Sequence, residues 1–279
     1  LPSILGGMEN EVLNTTKTVY VNSIQCASGI GIDGYIIDAD IFVDLNKNFI
    51  LDKNEPRTKT GSKGQFNFKE PIKTGSLIIL KGGIDYDSQL PMPEEYLLIG
   101  TYNPKISNII SPLSTINYFA KGYIDLHKQI KIKNEFDILS ADPISYLHHD
   151  YNSASTILEK NIQLTILSSV LAKFSDDISY IKVWKIMSGP IIKNDYSLDD
   201  IDSSDYIRHL FSSFLQELNY TISAEKLNLI SESSENFLQS IKVSKNNLSH
   251  ADSFVIGIGE FGDNINQFIK NEVETLNNY

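Results

Sequence analysis

The chain has 279 residues, 41% hydrophobic and 21% charged, with 16 Gly and 9 Pro, which excludes a disordered tail or a collagen-like repeat and suffices for a substantial core. Its 24 basic and 35 acidic residues leave a formal charge of -11, so nucleic acid and anionic lipid surfaces are disfavoured as partners. The single cysteine, Cys26, can make neither an intrachain disulfide nor a multi-thiolate metal site, and no run approaches the ~18 apolar residues of a membrane span.

Residues 1–17 carry Pro2, Gly6, Gly7 and Asn14-Thr15-Thr16 with little periodicity, and read as a flexible arm. No basic stretch leads into an apolar core, so any export signal has been removed or lies outside this sequence, and export is permitted by it, not shown. From 18 to 111 the texture is that of short strands: Val19 and Val21 alternate with polar neighbours, Tyr35–Val43 is rich in β-branched and aromatic residues, and Gln65–Phe68 and Leu77–Leu80 are brief apolar runs between turn signals. That pattern predicts a β-sandwich.

Beyond Pro112 apolar residues recur three and four apart. Leu158, Ile162, Leu167, Val170, Leu171, Phe174 and Ile178 form one stripe; Tyr206, Leu210, Phe211, Phe214 and Leu218 form a second, opened by Ser203-Ser204-Asp205 as capping candidates. Leu227, Ile230, Phe237, Leu238 and Ile241 continue the pattern, and Ile265, Phe268, Ile269, Val273 and Leu276 close it. The expected class is α+β, an N-terminal β-sandwich (18–111) followed by a C-terminal helical bundle (112–279).

The stretch with the most chemistry is Asp44–Glu55. With Asp44 as position 1, oxygen-bearing side chains fall at positions 1, 3, 5, 9 and 12 as Asp44, Asn46, Asn48, Asp52 and Glu55, and the Ile50 carbonyl stands at position 7. Calcium takes six to eight oxygens in a flexible shell, which alternating Asx residues and one bidentate Glu supply at this spacing. The departure is Phe49 at position 6, where the pattern uses Gly for a turn at positive φ; an L-residue there costs roughly 1 kcal/mol or more. The competing reading is an ordinary polar hairpin turn.

The run Asp33-Gly-Tyr-Ile-Ile-Asp-Ala-Asp-Ile-Phe-Val-Asp-Leu-Asn-Lys-Asn, then Asp52-Lys-Asn-Glu-Pro56 and Thr60-Gly-Ser-Lys-Gly-Gln-Phe-Asn-Phe68, resembles the calcium-binding, prealbumin-like β-sandwich (B-repeat type) of large bacterial extracellular adhesins. Ile110-Ser-Pro-Leu-Ser-Thr115 and Ala141-Asp-Pro-Ile144 are similar to segments of the helical region that follows this module in repeat-in-toxin-type surface proteins. The resemblance spans about residues 30–175. It implies secretion, bound Ca2+, and a structural or adhesive role at the cell surface with other surface or assembly proteins, copies of itself included, as partners. Two alternatives stand beside it: a subunit of a filament, appendage or virion, and an accessory module of a secreted hydrolase.

Other signals are weaker. Gly29, Gly31 and Gly34 precede a strand pattern, and only 17 residues follow Gly257, Gly259 and Gly262, so neither glycine set has the setting of a dinucleotide fingerprint. His148-His149 reads as a surface turn and Asp199, Asp200, Asp202 and Asp205 as acidic capping before a helix, while nothing in the sequence makes an acid/base pair of Glu94-Glu95 and Asp85/Asp87. No nucleophile elbow, zincin motif or phosphate loop occurs, so no enzyme is expected.

Overall fold

The computed structural model describes residues 26–86, 89–122, 124–132, 136–172 and 178–241, and within them the chain is mixed α+β. The strands are β1 (Cys26–Gly31), β2 (Ile36–Ile37), β3 (Asp40–Asp44), β4 (Arg57–Lys59), β5 (Gln65–Pro71), β6 (Leu77–Lys81), β7 (Ile84–Asp85), β8 (Leu97–Thr101) and β9 (Asn108–Ile110). The helices are α1 (Pro112–Phe119), α2 (Leu126–Ile130), α3 (Pro143–Tyr146), α4 (Tyr151–Ala172), α5 (Tyr180–Ile192), α6 (Ser204–Glu217) and α7 (Ala224–Ser240). The expected arm, the Val19–Val21 alternation, Asp87, the second glycine set and the Ile265–Leu276 pattern lie outside the described residues.

The strands form a four-stranded sheet in the order β4-β3-β6-β8, a three-stranded sheet β5-β1-β9 and a small pair β2-β7. All pairings are antiparallel except β1 with β9. Strands β3, β6 and β8 are nearly continuous apolar runs because both their faces are covered, with Ile41, Ile78, Ile79, Leu80 and Ile99 fully buried. The run Tyr35–Val43, expected as one strand, is divided: Asp38 turns the chain at φ 54, so β2 leaves to pair with β7 while β3 enters the larger sheet. Gly29 makes the parallel pairing possible, since a Cβ there would sit 2.1 Å from the Asn108 carbonyl oxygen.

Strand β8 is an edge, and an unpaired edge must have its polar backbone satisfied or covered. Here helical side chains do this. The Ile99 N–H donates to Thr115 Oγ1 (2.9 Å), Ser114 Oγ donates to the Ile99 carbonyl (2.6 Å), and Trp184 Nε1 donates to the Leu97 carbonyl (2.8 Å). Helix α1 is positioned for the task by a capping box between Ser111 and Ser114 and by Pro112 in its first turn.

Helix α4 begins seven residues before the first residue of the expected stripe, at Tyr151, and runs to Ala172, with Phe174 of that stripe outside the described residues; its burial extends round most of its circumference, including Lys160, Asn161 and Gln163. Asn161 Oδ1 accepts the Leu113 N–H at 3.1 Å, which fixes α4 against the start of α1. Helix α5, with Trp184 fully buried, was not marked by the periodicity reading. Helix α6 begins after Ser203, whose hydroxyl accepts the Tyr206 N–H, as the capping signal predicts. A single connected set of buried side chains extends from Ala27 in β1 to Ile241 after α7, so sheet and helices share one core.

Candidate metal centre

Asp44 ends β3 and Glu55 lies two residues before β4, so the twelve-residue loop joins neighbouring antiparallel strands. Its neck is held by the Val43 N–H donating to the Pro56 carbonyl at 2.9 Å. The two residues at the neck, Asp44 and Glu55, are buried, whereas Asn46, Asn48 and Asp52 are exposed.

Each predicted side-chain ligand is turned into the loop. Asp44 accepts backbone N–H groups from Lys47 (2.5 Å), Asn48 (3.2 Å) and Phe49 (2.8 Å). Asn46 Oδ1 accepts the Asn48 N–H and Asn48 Oδ1 accepts the Ile50 N–H, while both Asn Nδ2 groups donate to Asp52 Oδ2 at 2.7 and 3.0 Å. Glu55 spans the loop, one oxygen accepting from Leu45 N–H (2.7 Å) and the other from Asp52 N–H (3.0 Å). Positions 3, 5 and 9 therefore meet at one atom, and positions 1 and 12 close the loop from either end. The Ile50 side chain points outward, 64% exposed, leaving only its backbone for the loop.

Phe49 takes φ 62, the left-handed conformation that the pattern assigns to Gly at position 6, and Lys47 is left-handed as well at φ 63. The strain at Phe49 is offset where its ring packs edge-on against Tyr118 of α1, with centroids 6.2 Å apart. Burial, and next the Asp44 carboxylate, push the Tyr118 phenol above its ordinary pKa.

The donor set fits a hard divalent ion. No Lys, Arg or His among the described residues forms an ion pair with Asp44, Asp52 or Glu55, and Asp44 Oδ2 and both Glu55 oxygens, each accepting one N–H, keep a second lone pair for a cation, whereas Asp44 Oδ1 and Asp52 Oδ2 already accept two. Among the described residues no three His, Cys, Asp or Glu side chains gather closely enough to hold a metal, Asp44, Asp52 and Glu55 included, so an ion bound here would have to draw these carboxylates together with the two amide oxygens and the Ile50 carbonyl.

The other acidic and basic clusters have local partners. Asp199 pairs with Lys131 (3.1 Å) and Asp202 with Lys160 (3.4 Å), Asp205 pairs with Arg208, and Asp200 caps Ser197 through its N–H (2.8 Å) and hydroxyl (2.6 Å). The hydrogen bonds from Ser197 hold the Asp200 carboxyl below the usual range. His148 and His149 occupy an exposed turn after α3, and Glu95 pairs with Lys81 (3.0 Å) while Glu94 is exposed. The sequence reading missed one polar group, the buried contact of Asp33 with Tyr96 and Thr165, whose members lie 63 and 132 positions apart from Asp33.

Comparisons with protein-family models, with curated proteins and with solved structures each found no match to this chain. No helix among the described residues is long and apolar enough to cross a membrane.

Proposed function

We propose that this protein is a non-enzymatic, extracellular structural or adhesive protein whose β3–β4 hairpin is stapled by Ca2+. The metal would be held by Asp44, Asn46, Asn48, Asp52 and Glu55 with the Ile50 carbonyl, and its charge would replace the internal N–H donors as the main partner of three otherwise uncompensated carboxylates. The observation that carries this reading is that Asn46 and Asn48 meet at Asp52 Oδ2 while Asp44 and Glu55 bind N–H groups of the same loop, around a left-handed position 6. The neighbours in such a role are other surface or assembly proteins, including further copies of the chain.

Thermal unfolding in millimolar calcium and in chelator, with Asp44→Ala alongside, tests it. At a hundredfold excess over Kd the ion should add ~2.7 kcal/mol to the folded state and raise Tm by several degrees. Loss of that gain in Asp44→Ala is the expected result; an identical Tm in calcium and chelator would leave the loop as a plain hairpin turn.

A further inference from the structure

Asp33 lies in the turn between β1 and β2, 5% exposed, and its carboxylate meets two hydroxyls from distant segments. Tyr96, just before β8, donates to Asp33 Oδ2 at 3.0 Å, and Thr165, in the middle of α4, donates to the same oxygen at 2.8 Å. The two hydroxyl oxygens are also 3.0 Å from each other. Three oxygens thus form a closed triangle at hydrogen-bond distance.

The proton count of that triangle decides its state. Each hydroxyl brings one proton. With Asp33 ionised, both protons point at the carboxylate and the Tyr96–Thr165 edge is two lone pairs face to face. With Asp33 protonated there are three protons for three edges: the carboxyl donates to Tyr96, Tyr96 to Thr165, and Thr165 back to the carboxyl. Every edge is then filled. Burial favours the same form, and among the described residues the charged groups that act on Asp33 include no cation. Asp85 of β7 adds like charge and Tyr180 of α5 packs edge-on against Tyr96 at 5.4 Å; the hydrogen bonds from Thr165, Tyr96 and the Gly34 N–H pull the other way, toward the ionised form, and are outweighed by burial and Asp85. Thr165 is only half-buried, which leaves a route for proton exchange.

We propose that Asp33 carries the proton of a pH-responsive clamp that fastens α4 to the β1–β2 turn and the approach to β8, closed when the carboxyl is protonated and loosened when it ionises. Burial first, and then Asp85, raise the Asp33 carboxyl from 3.8 to about 7, so the clamp operates near neutrality. The tyrosines stay protonated throughout: burial holds Tyr96 well above its ordinary value and pushes Tyr180 up to about 12. In the unfolded chain Asp33 ionises near its ordinary value, so the folded state binds the extra proton between the two. The stabilisation is complete below about pH 4 and is lost as pH rises through about 7.

Melting curves of the full chain in chelator from about pH 5 to about pH 9, beside Asp33→Asn, read this out. The wild-type Tm should fall across neutrality. Asp33→Asn, neutral at every pH and able to donate, should flatten that fall and melt above wild type at the alkaline end. A slope unchanged by Asp33→Asn overturns the clamp. Should that variant fail to fold, the infrared carbonyl band of a protonated carboxylic acid in wild-type protein serves instead. It should persist at about pH 6, disappear by about pH 8, and shift its midpoint to lower pH in Asp85→Asn, where the like charge is gone. A band already absent at about pH 6, or a midpoint indifferent to Asp85, also overturns it.

Discussion

Two acidic stretches of this chain solve the same electrostatic problem in opposite ways. In Ser197–Asp205 each carboxylate has its own answer: Lys131 for Asp199, Lys160 for Asp202, Arg208 for Asp205, and the Ser197 cap for Asp200. In Asp44–Glu55 the three carboxylates face backbone N–H groups and two Asn amides within their own loop, with Lys47 and Lys53 close in sequence yet in no ion pair with them. The contrast teaches that acidic density alone does not mark a cation site. What separates the two is whether the acids are already neutralised by the protein.

The largest effect should come from breaking the neutralised stretch. Lys160 is buried between Asp202 and the Asp199 carbonyl, so Lys160→Ala leaves the partly buried Asp202 carboxylate with the neutral Gln163 amide but no counter-charge and should cost ~3 kcal/mol or more in urea unfolding. A cost below ~1 kcal/mol would mean that solvent already screens that pair. Next comes the calcium gain of ~2.7 kcal/mol, which should vanish in Asp44→Ala and survive intact in Asp199→Ala. Calorimetric calcium titrations of the two variants make the distinction, and a response that follows Asp199 would exchange the roles of the two stretches.

Smaller effects sharpen the comparison. Phe49 already holds the left-handed turn, so Phe49→Gly relieves roughly 1 kcal/mol of strain while giving up an aromatic contact worth ~0.5–1.5 kcal/mol. Stability in chelator should therefore change by less than about 1 kcal/mol, measured by urea unfolding, with calcium affinity altered only a few-fold. A gain far beyond that would show that the ring distorts the loop. Smallest is Arg208→Ala: its pair with Asp205 is solvated on both sides, and the loss should stay within ~0.5 kcal/mol of wild type in the same assay.

The loop's ligand order was legible because every member lies within twelve residues and the spacing itself is the signal. Capping by Ser203 and the stripe of α6 were legible for the same reason: the information is local. Strand β8 was not, because Gly100 interrupts its apolar run after Leu97–Ile99 and leaves too few residues to separate it from a helix turn. Helix α5 was obscured by Gly189-Pro190 near its end, residues that ordinarily break helices. The division of Tyr35–Val43 depends on one residue, Asp38, adopting a conformation for which its neighbours give no cue. The Asp33 triangle is assembled from three separate segments, so no window of sequence contains it.

Trp184 is the only tryptophan in the chain, and its indole N–H is bound to the Leu97 carbonyl at the open edge of β8. Nature has thereby placed a single optical gauge on the seam where helices meet sheet. Its emission colour reports one place only: blue while the indole stays dry against the strand, red once water reaches that edge. Fluorescence can therefore time the parting of helix from strand separately from the loss of helix seen by circular dichroism, with no label added to the protein.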